Sequence, residues 1–443
     1  MSGLHRLDIA TLAGLLQSRQ LGVLELVDAL IERADAAPHV HVAPCFAAAR
    51  ATAREADREI AAGDWRGPLH GIPFGVKAAI DVEGCVTTTC SRLRAASPAT
   101  DDAAAVARLR RAGAIPLGLV HCAELCLGAP GPDDAFPWPV NPFHPDHSPG
   151  GSSSGSAVGL AAGLFPAALG TDTAGSIRLP AAFCGVAGLK PTDGRVPASG
   201  VSPLAPSLDQ VGPMARTSRD CAILMDALSG VGGHAAGLTD LLDGLRLAVD
   251  PAMLALAPEA WRAVLEDALA VFRDLGAVIA EIALPPLGAY FDCALTLMLG
   301  EAYTFLGGDI DRHPDRISHI TRTRIRAGAS RVALLPEARI WREALARRTA
   351  EAMAGVDAVL LPVAAGDPPR RVGIRPLDYS KAPMFTTPAN VAGFPAASVR
   401  CGRSPAGFPM AFQVMAARDC DGLALRIAHA FETATPGFDL GPA

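Results

Sequence analysis

The sequence predicts an α/β fold with a large mixed β-sheet, and three observations carry that prediction. Half of the 443 residues are hydrophobic and 19% are charged, which supplies a large core and excludes a disordered chain. Short apolar runs punctuated by Gly and Pro alternate with amphipathic stretches, the pattern of strands layered against helices. No internal repeat, low-complexity tract or charge-rich linker interrupts the chain. One domain over residues 1–443 is therefore expected. It comprises a helical N-terminal part (1–70), a central core (71–220), a more variable helical part (221–385), and C-terminal strands with a closing helix (386–443).

The elements follow in order. "LGVLELVDALIERADAA" has apolar residues at helical spacing, and "FAAARATAREADREIAAG" is a second helix with a charged face and a glycine stop. "LHGIPFGVKAAIDVEG" reads as a buried strand ending near Lys77. "DDAAAVARLRRAGAIPLGLV" gives a helix, a glycine stop and a strand. "SAVGLAAGLFPAALG" gives a helix and then a strand, with small residues at Gly155, Gly159 and Gly163 for close packing. "LRLAVD", "GAVIAEI" and "DAVLLPV" are strands alternating with the helices "EAWRAVLEDALAVFRDLG" and "PEARIWREALARRTAEAMAG". "FPAASVRCG" and "FPMAFQVMA" are two late strands, closed by the helix "DGLALRIAHAFETA".

Charge excludes several functions. A net charge of −6 without a basic block or basic–aromatic stripe argues against a nucleic-acid partner. The uncharged run from Ser148 to Thr171 is broken by Pro149 and Pro166, so it reads as core rather than a membrane span. The N-terminus lacks the charged and apolar regions of a secretory signal. The ten cysteines form no CxxC pair, so free thiols, a reducing cytoplasm and no metal site are expected.

Lys and Arg together number 39, and only Lys77, Lys190 and Lys381 are lysines. A buried lysine can give up its proton, whereas arginine effectively cannot. Lys77, closing a buried strand, is therefore a candidate base.

Its partners lie in two loops. "SPGGSSSGSA" (148–157) runs directly into a helix without charges, which rules out a free linker. It lacks the lysine of a phosphate-binding P-loop. "GSSSG" (151–155) matches a nucleophile elbow centred on Ser153, but the proline-rich "NPFHPDHSPG" before it cannot be the strand that motif needs. The second loop, "GTDTAGSIRLP" (170–180), offers backbone N–H groups in a tight turn, a nest for a developing oxyanion. Ser176 stands at its end as a nucleophile. Asp172 and Arg178 are the only charges between His147 and Lys190, and are expected to pair and hold the loop. A serine of the first loop can relay a proton between Lys77 and Ser176.

These residues resemble the amidase signature family. "GIPFGVKAAIDVEG", "NPFHPDHSPGGSSSGSA", "GTDTAGSIRLPAAFCGVAGLKPTDGRV" and "SLDQVGPMARTSRD" look like its central blocks, and "TTPANVAGFPAASV" with "FPMAFQVMA" like its last strands. The resemblance runs from about Leu21 to about Glu432. It implies a twisted mixed sheet covered by helices on both faces. It also implies a catalytic Lys77, a relay serine Ser152 after a cis peptide bond, and a nucleophile Ser176. The N–H groups of Thr173, Ala174, Gly175 and Ser176 match the oxyanion hole, with Ser153, Asp172 and Arg178 in support. No cofactor and no metal are implied.

The activity implied is hydrolysis of a C–N bond in a small amide or carbamate, with esters, urethanes and ureas open. The partners are a small substrate and water, and the protein a monomer or homodimer. Ala78, His147, Ser154 and Ala174 depart from common family residues without removing a triad atom. "SSSGS" and "TDTAGS" resemble allophanate hydrolases, which act on urea-like bonds. The family's other role is as the amidase component of a tRNA-dependent amidotransferase. Its Arg-Tyr-x-Gly-type stretch has no counterpart in residues 307–328, which lack tyrosine. The substrate pocket is expected from residues 120–140 and 285–330, with Phe136, Trp138, Tyr290, Phe291 and Met298 as candidates.

Overall fold

In the computed structural model, residues 3–94, 97–375 and 384–436 are described. The N-terminal part contributes α1 (Ile9–Gln17), α2 (Val23–Ile31), β1 (His41–Pro44) and α3 (Phe46–Ala62). Helix α3 stops at Gly63, which adopts a left-handed conformation. The central core follows with β2 (Pro73–Lys77), α4 (Ala104–Arg111), β3 (Ile115–Val120), α5 (Ser154–Ala161) and β4 (Ala167–Asp172). It continues through α6 (Arg178–Phe183), β5 (Ala187–Lys190), β6 (Gln210–Ala215) and α7 (Ser218–Ser229).

The later part supplies β7 (Arg246–Val249), α8 (Pro251–Leu254), α9 (Glu259–Asp274), β8 (Val278–Glu281), α10 (Leu287–Arg312) and α11 (His319–Arg326). The chain then runs through α12 (Leu335–Ala352), β9 (Ala358–Pro362), α13 (Thr387–Ala392), β10 (Ala396–Arg403), β11 (Pro409–Ala416) and α14 (Asp421–Ala434). Every strand read from the sequence is present. Strands β1, β5 and β6 were not anticipated: "HVAP" and "AGLK" are too short for an alternating pattern, and the three form by antiparallel pairing, β1 along β3, β6 along β4 and β5, and β5 along β10.

Among the described residues the strands form one mixed sheet in the order β1-β3-β2-β4-β6-β5-β10-β11-β9-β7-β8, with helices on both faces. Strand β2 runs parallel to β3 and β4, and β4 is antiparallel to β6. The parallel pairing of β2 and β4 brings their carboxyl ends together. Lys77, Thr171 and Asp172 thus emerge side by side, where α/β sheets leave a crevice.

Packing behind this edge is close. The Phe165 ring, fully buried, lies between β2 and α5. A Cβ at Gly75 would come within 2.7 Å of the ring, and one at Gly159 would overlap it. The predicted small-residue face of α5 is thus filled by an aromatic ring. On the far half of the sheet, Phe272, Phe412 and Phe431 form a triangle with centroids 4.9–5.2 Å apart. That contact pins α9 and α14 to β11.

Cys45 and Cys85 come close together, although both stand in short loops far apart in sequence; the other eight cysteines are free. No described helix is long and apolar enough to cross a membrane.

Candidate active site

Lys77 closes β2 fully buried. Its Nζ donates to Ser152 Oγ at 2.7 Å, to Thr171 Oγ1 at 2.6 Å and to the Thr171 carbonyl at 3.4 Å. Among the described residues no carboxylate lies within ion-pair distance of it, so its surroundings are hydroxyl and carbonyl oxygens. Ser152 follows a cis Gly151–Ser152 peptide bond and lies in the loop that feeds α5. Ser153 is fully buried. Its Oγ donates to the Thr171 carbonyl at 3.2 Å and accepts from the Thr171 N–H at 3.3 Å, which ties the serine loop to the end of β4. The elbow-like centre of "GSSSG" is therefore a brace.

Ser176 stands between β4 and α6, partly exposed to a cavity that Ser152 also lines. Its Oγ makes no hydrogen bond among the described residues. The backbone N–H groups of Thr173, Ala174 and Ser176 likewise have no partner among the described residues. The Gly175 N–H is different: it donates to Asp172 Oδ1 at 2.7 Å. This corrects the expectation that all four N–H groups are available, because the carboxylate that braces the loop takes one of them. Gly175 has φ +117, and a side chain there would meet Thr386.

Asp172 and Arg178 pair as expected and are both fully buried. Arg178 reaches Asp172 through Nε and Nη2, each at 3.0 Å, in the fork geometry that suits a carboxylate. Burial pushes the Asp172 carboxyl up. The Arg178 guanidinium and the hydrogen bonds from Arg178 and Asn390 outweigh that and hold it well below the usual carboxylate range.

Sequence reasoning missed the rest of this brace. Asn390 Nδ2 donates to Asp172 Oδ1 at 2.8 Å, and Arg178 Nη1 donates to Gln413 Oε1 at 2.6 Å and to the Thr386 carbonyl at 2.9 Å. Thr386 Oγ1 donates to the Ala174 carbonyl at 2.7 Å. The only signal was that Asn390 and Gln413 are polar residues inside otherwise apolar C-terminal segments. Buried polar groups of that kind call for partners.

The other lysines separate cleanly. Lys190 is fully buried, donates to the Pro191 carbonyl at 2.6 Å and faces Asp193 at 3.5 Å, so it holds a turn. Lys381 lies outside the described residues. His121 is pushed down to about 3 by burial, and it contacts Ser154 Oγ at 2.8 Å and the Phe136 carbonyl at 3.4 Å.

The cavity has a volume of about 500 Å³, in the range of small-molecule sites. Trp138 and Met298, two of the candidate pocket residues, line it together with Leu127, Leu179 and Phe183. Phe136 does not: its carbonyl accepts from His121, and its ring is not part of the wall. Tyr290 is core, with its hydroxyl 2.5 Å from Thr349 Oγ1, and Phe291 is not part of the wall either. Two further contributions complete the wall. Arg324 of α11 is buried in the wall and donates to the Leu127 carbonyl at 2.8 Å. The segment from Ala364 to Ile374 forms one side of the mouth. It is fastened to the proline-rich loop by Ser148 N–H to the Pro369 carbonyl and by Arg371 N–H to the Asp146 carbonyl, both 2.8 Å.

A family model described as Amidase matches residues 25–425. The chain belongs to the amidase signature family. Among its relatives, a glutamyl-tRNA(Gln) amidotransferase subunit from Roseiflexus sp. (strain RS-1) is 35% identical over 98% of both chains. A crystal structure of an amidase superposes with a TM-score of 0.88 at 31% identity, covering 96% of this chain and 99% of the other. The peptide amidase of Stenotrophomonas maltophilia superposes with a TM-score of 0.85 at 28% identity, covering 99% and 98%. This amidase-family chain thus has relatives of two kinds, amidases and an amidotransferase subunit.

Proposed function

We propose that the protein hydrolyses the C–N bond of a small amide or carbamate through an acyl-enzyme on Ser176. The observation that carries this is the 2.7 Å hydrogen bond between buried Lys77 and Ser152, on the wall of a cavity that Ser176 also lines, beside the N–H groups of Thr173, Ala174 and Ser176, which have no partner among the described residues. Lys77 Nζ accepts the Ser152 proton as Ser152 accepts that of Ser176, once the Ser176 side chain turns toward it. Ser176 Oγ then bonds to the substrate carbonyl carbon. The carbonyl oxygen takes up negative charge against the N–H groups of Thr173, Ala174 and Ser176. Collapse breaks the C–N bond, with the proton returned through Ser152 to the leaving nitrogen. Water attacks the acyl-enzyme along the same relay, releasing the acid and restoring Ser176. The apolar wall of Trp138, Leu179, Phe183 and Met298 suits the acyl or leaving-group side of a small organic amide, and esters fit the same chemistry.

The amidotransferase names among the relatives favour a second reading, ammonia release from glutamine within a multi-subunit enzyme. A panel of alkyl and aryl amides, carbamates, ureas and esters, assayed on the protein alone, separates the two. Turnover of amides or carbamates that disappears in Ser176→Ala supports the hydrolase. Unchanged turnover in Ser176→Ala refutes the mechanism, and glutamine cleavage only with added partner subunits assigns the second role.

A further inference from the structure

Thr173 lies just past the end of β4, and the β4–β6 register, with Asp172 opposite Gln210, carries on to set it across from Asp209. Asp209 uses both of its oxygens. Oδ1 accepts from Thr173 Oγ1 at 2.6 Å, while Oδ2 accepts from the N–H groups of Leu204 and Ala205, each at 2.9 Å. The turn so closed is held from outside by α10 and α12. Glu301 Oε2 accepts from Ser207 N–H at 3.1 Å, and Arg342 Nη1 donates to the Ser207 carbonyl at 2.6 Å. Glu301 is one helical turn from Met298 of the cavity wall. Desolvation pushes the Asp209 carboxyl up, against the hydrogen bonds from Thr173, Leu204 and Ala205. Thr173 therefore has a rigid support, while its own N–H and that of Ala174 are left without partners among the described residues.

We propose that Asp209 is a positioning residue for the oxyanion loop: by fixing the Thr173 hydroxyl it aims the N–H groups of Thr173 and Ala174 at the carbonyl oxygen of the substrate. The inference rests on Ser176 being the nucleophile. A carboxylate that only closed the 204–209 turn would affect folding but not the balance between binding and turnover. The hydroxyl link is the part to cut. Removing a whole oxyanion donor costs about 10²–10³ in kcat, so a misaimed one should cost about tenfold or more.

The test uses the full-length protein and an amide that the wild type turns over. Thr173→Val is expected to lower kcat about tenfold or more with KM within about twofold, and Thr173→Ser to recover most of that loss. Asp209→Ala should match Thr173→Val, and the double variant should be no worse than the poorer single, because both cut one link. Should Asp209→Ala fail to fold, the two Thr173 variants still decide. Wild-type kcat in Thr173→Val, a loss confined to KM, or no recovery in Thr173→Ser overturns the proposal. Ser176→Ala runs alongside: retained turnover there would instead remove the nucleophile on which the inference rests.

Discussion

Asp172→Asn probes the buried brace of the active-site loop. The carboxylate accepts from Gly175 N–H (2.7 Å), Asn390 (2.8 Å) and Arg178 Nη2 (3.0 Å) at Oδ1, and from Arg178 Nε (3.0 Å) and Ile177 N–H (3.2 Å) at Oδ2. An asparagine amide must turn its NH2 toward one of these two donor sets, so at least two donors lose their acceptor whichever way it faces. Arg178, fully buried, is left without its counter-charge. Breaking one side of such a pair costs about 3–5 kcal/mol, a large share of the roughly 5–15 kcal/mol that holds a domain folded. Urea denaturation followed by circular dichroism should show that loss at pH 7.

The same loss should persist at pH 5. The wild-type carboxylate is held low in the fold, so its contribution is present above the unfolded value of about 3.9. It fades only as pH falls below that toward the folded value. A variant within about 0.5 kcal/mol of wild type at pH 7 would refute the view that this pair anchors the loop.

Three further outcomes are expected. Lys77→Ala should lower kcat by about 10²–10⁴, and Lys77→Arg should not restore it, because arginine keeps its proton; steady-state kinetics on the same amide decides. Burial pushes Asp220 up to about 7, with one oxygen bound to Ile9 N–H at 3.0 Å and the other without a partner among the described residues, and it pushes Glu432 up to about 7 as well. Both acids favour the fold when neutral, so stability should fall as pH rises from about 4 through 7; Asp220→Asn should raise the thermal midpoint more at pH 8 than at pH 5. Gly159→Ala, whose Cβ would overlap the Phe165 ring, should cost about 1–3 kcal/mol, and Phe165→Leu in that background should return part of it in thermal melts.

Local chemistry was legible in the sequence and long-range closure was not. A lysine at the end of a buried strand, two small-residue loops and a lone Asp–Arg couple marked the site, because each is a short-range signal in an otherwise uncharged stretch. Eight strands were legible from their apolar runs, but β1, β5 and β6 were not, since these short segments depend on neighbouring strands for their pairing. Asn390, Gln413 and Thr386 reach Arg178 across more than 200 residues of chain, and no local pattern encodes that meeting. Commitment of the Gly175 N–H to Asp172 follows from the turn's own curvature, which spacing alone does not give. The cavity wall mixes both cases: Trp138 and Met298 lie in segments read as pocket, whereas the Ala364–Ile374 side arrives from a loop whose partner is the proline-rich approach.

The central claim, covalent catalysis by Ser176, is tested most directly by intact-protein and peptide mass spectrometry after rapid quench with a slowly deacylating amide or carbamate. The expected result is an added mass equal to the acyl group, mapped to the peptide containing Ser176 and absent from Ser176→Ala. An adduct on another residue, or steady turnover with no adduct at any quench time in a deacylation-limited reaction, would contradict it.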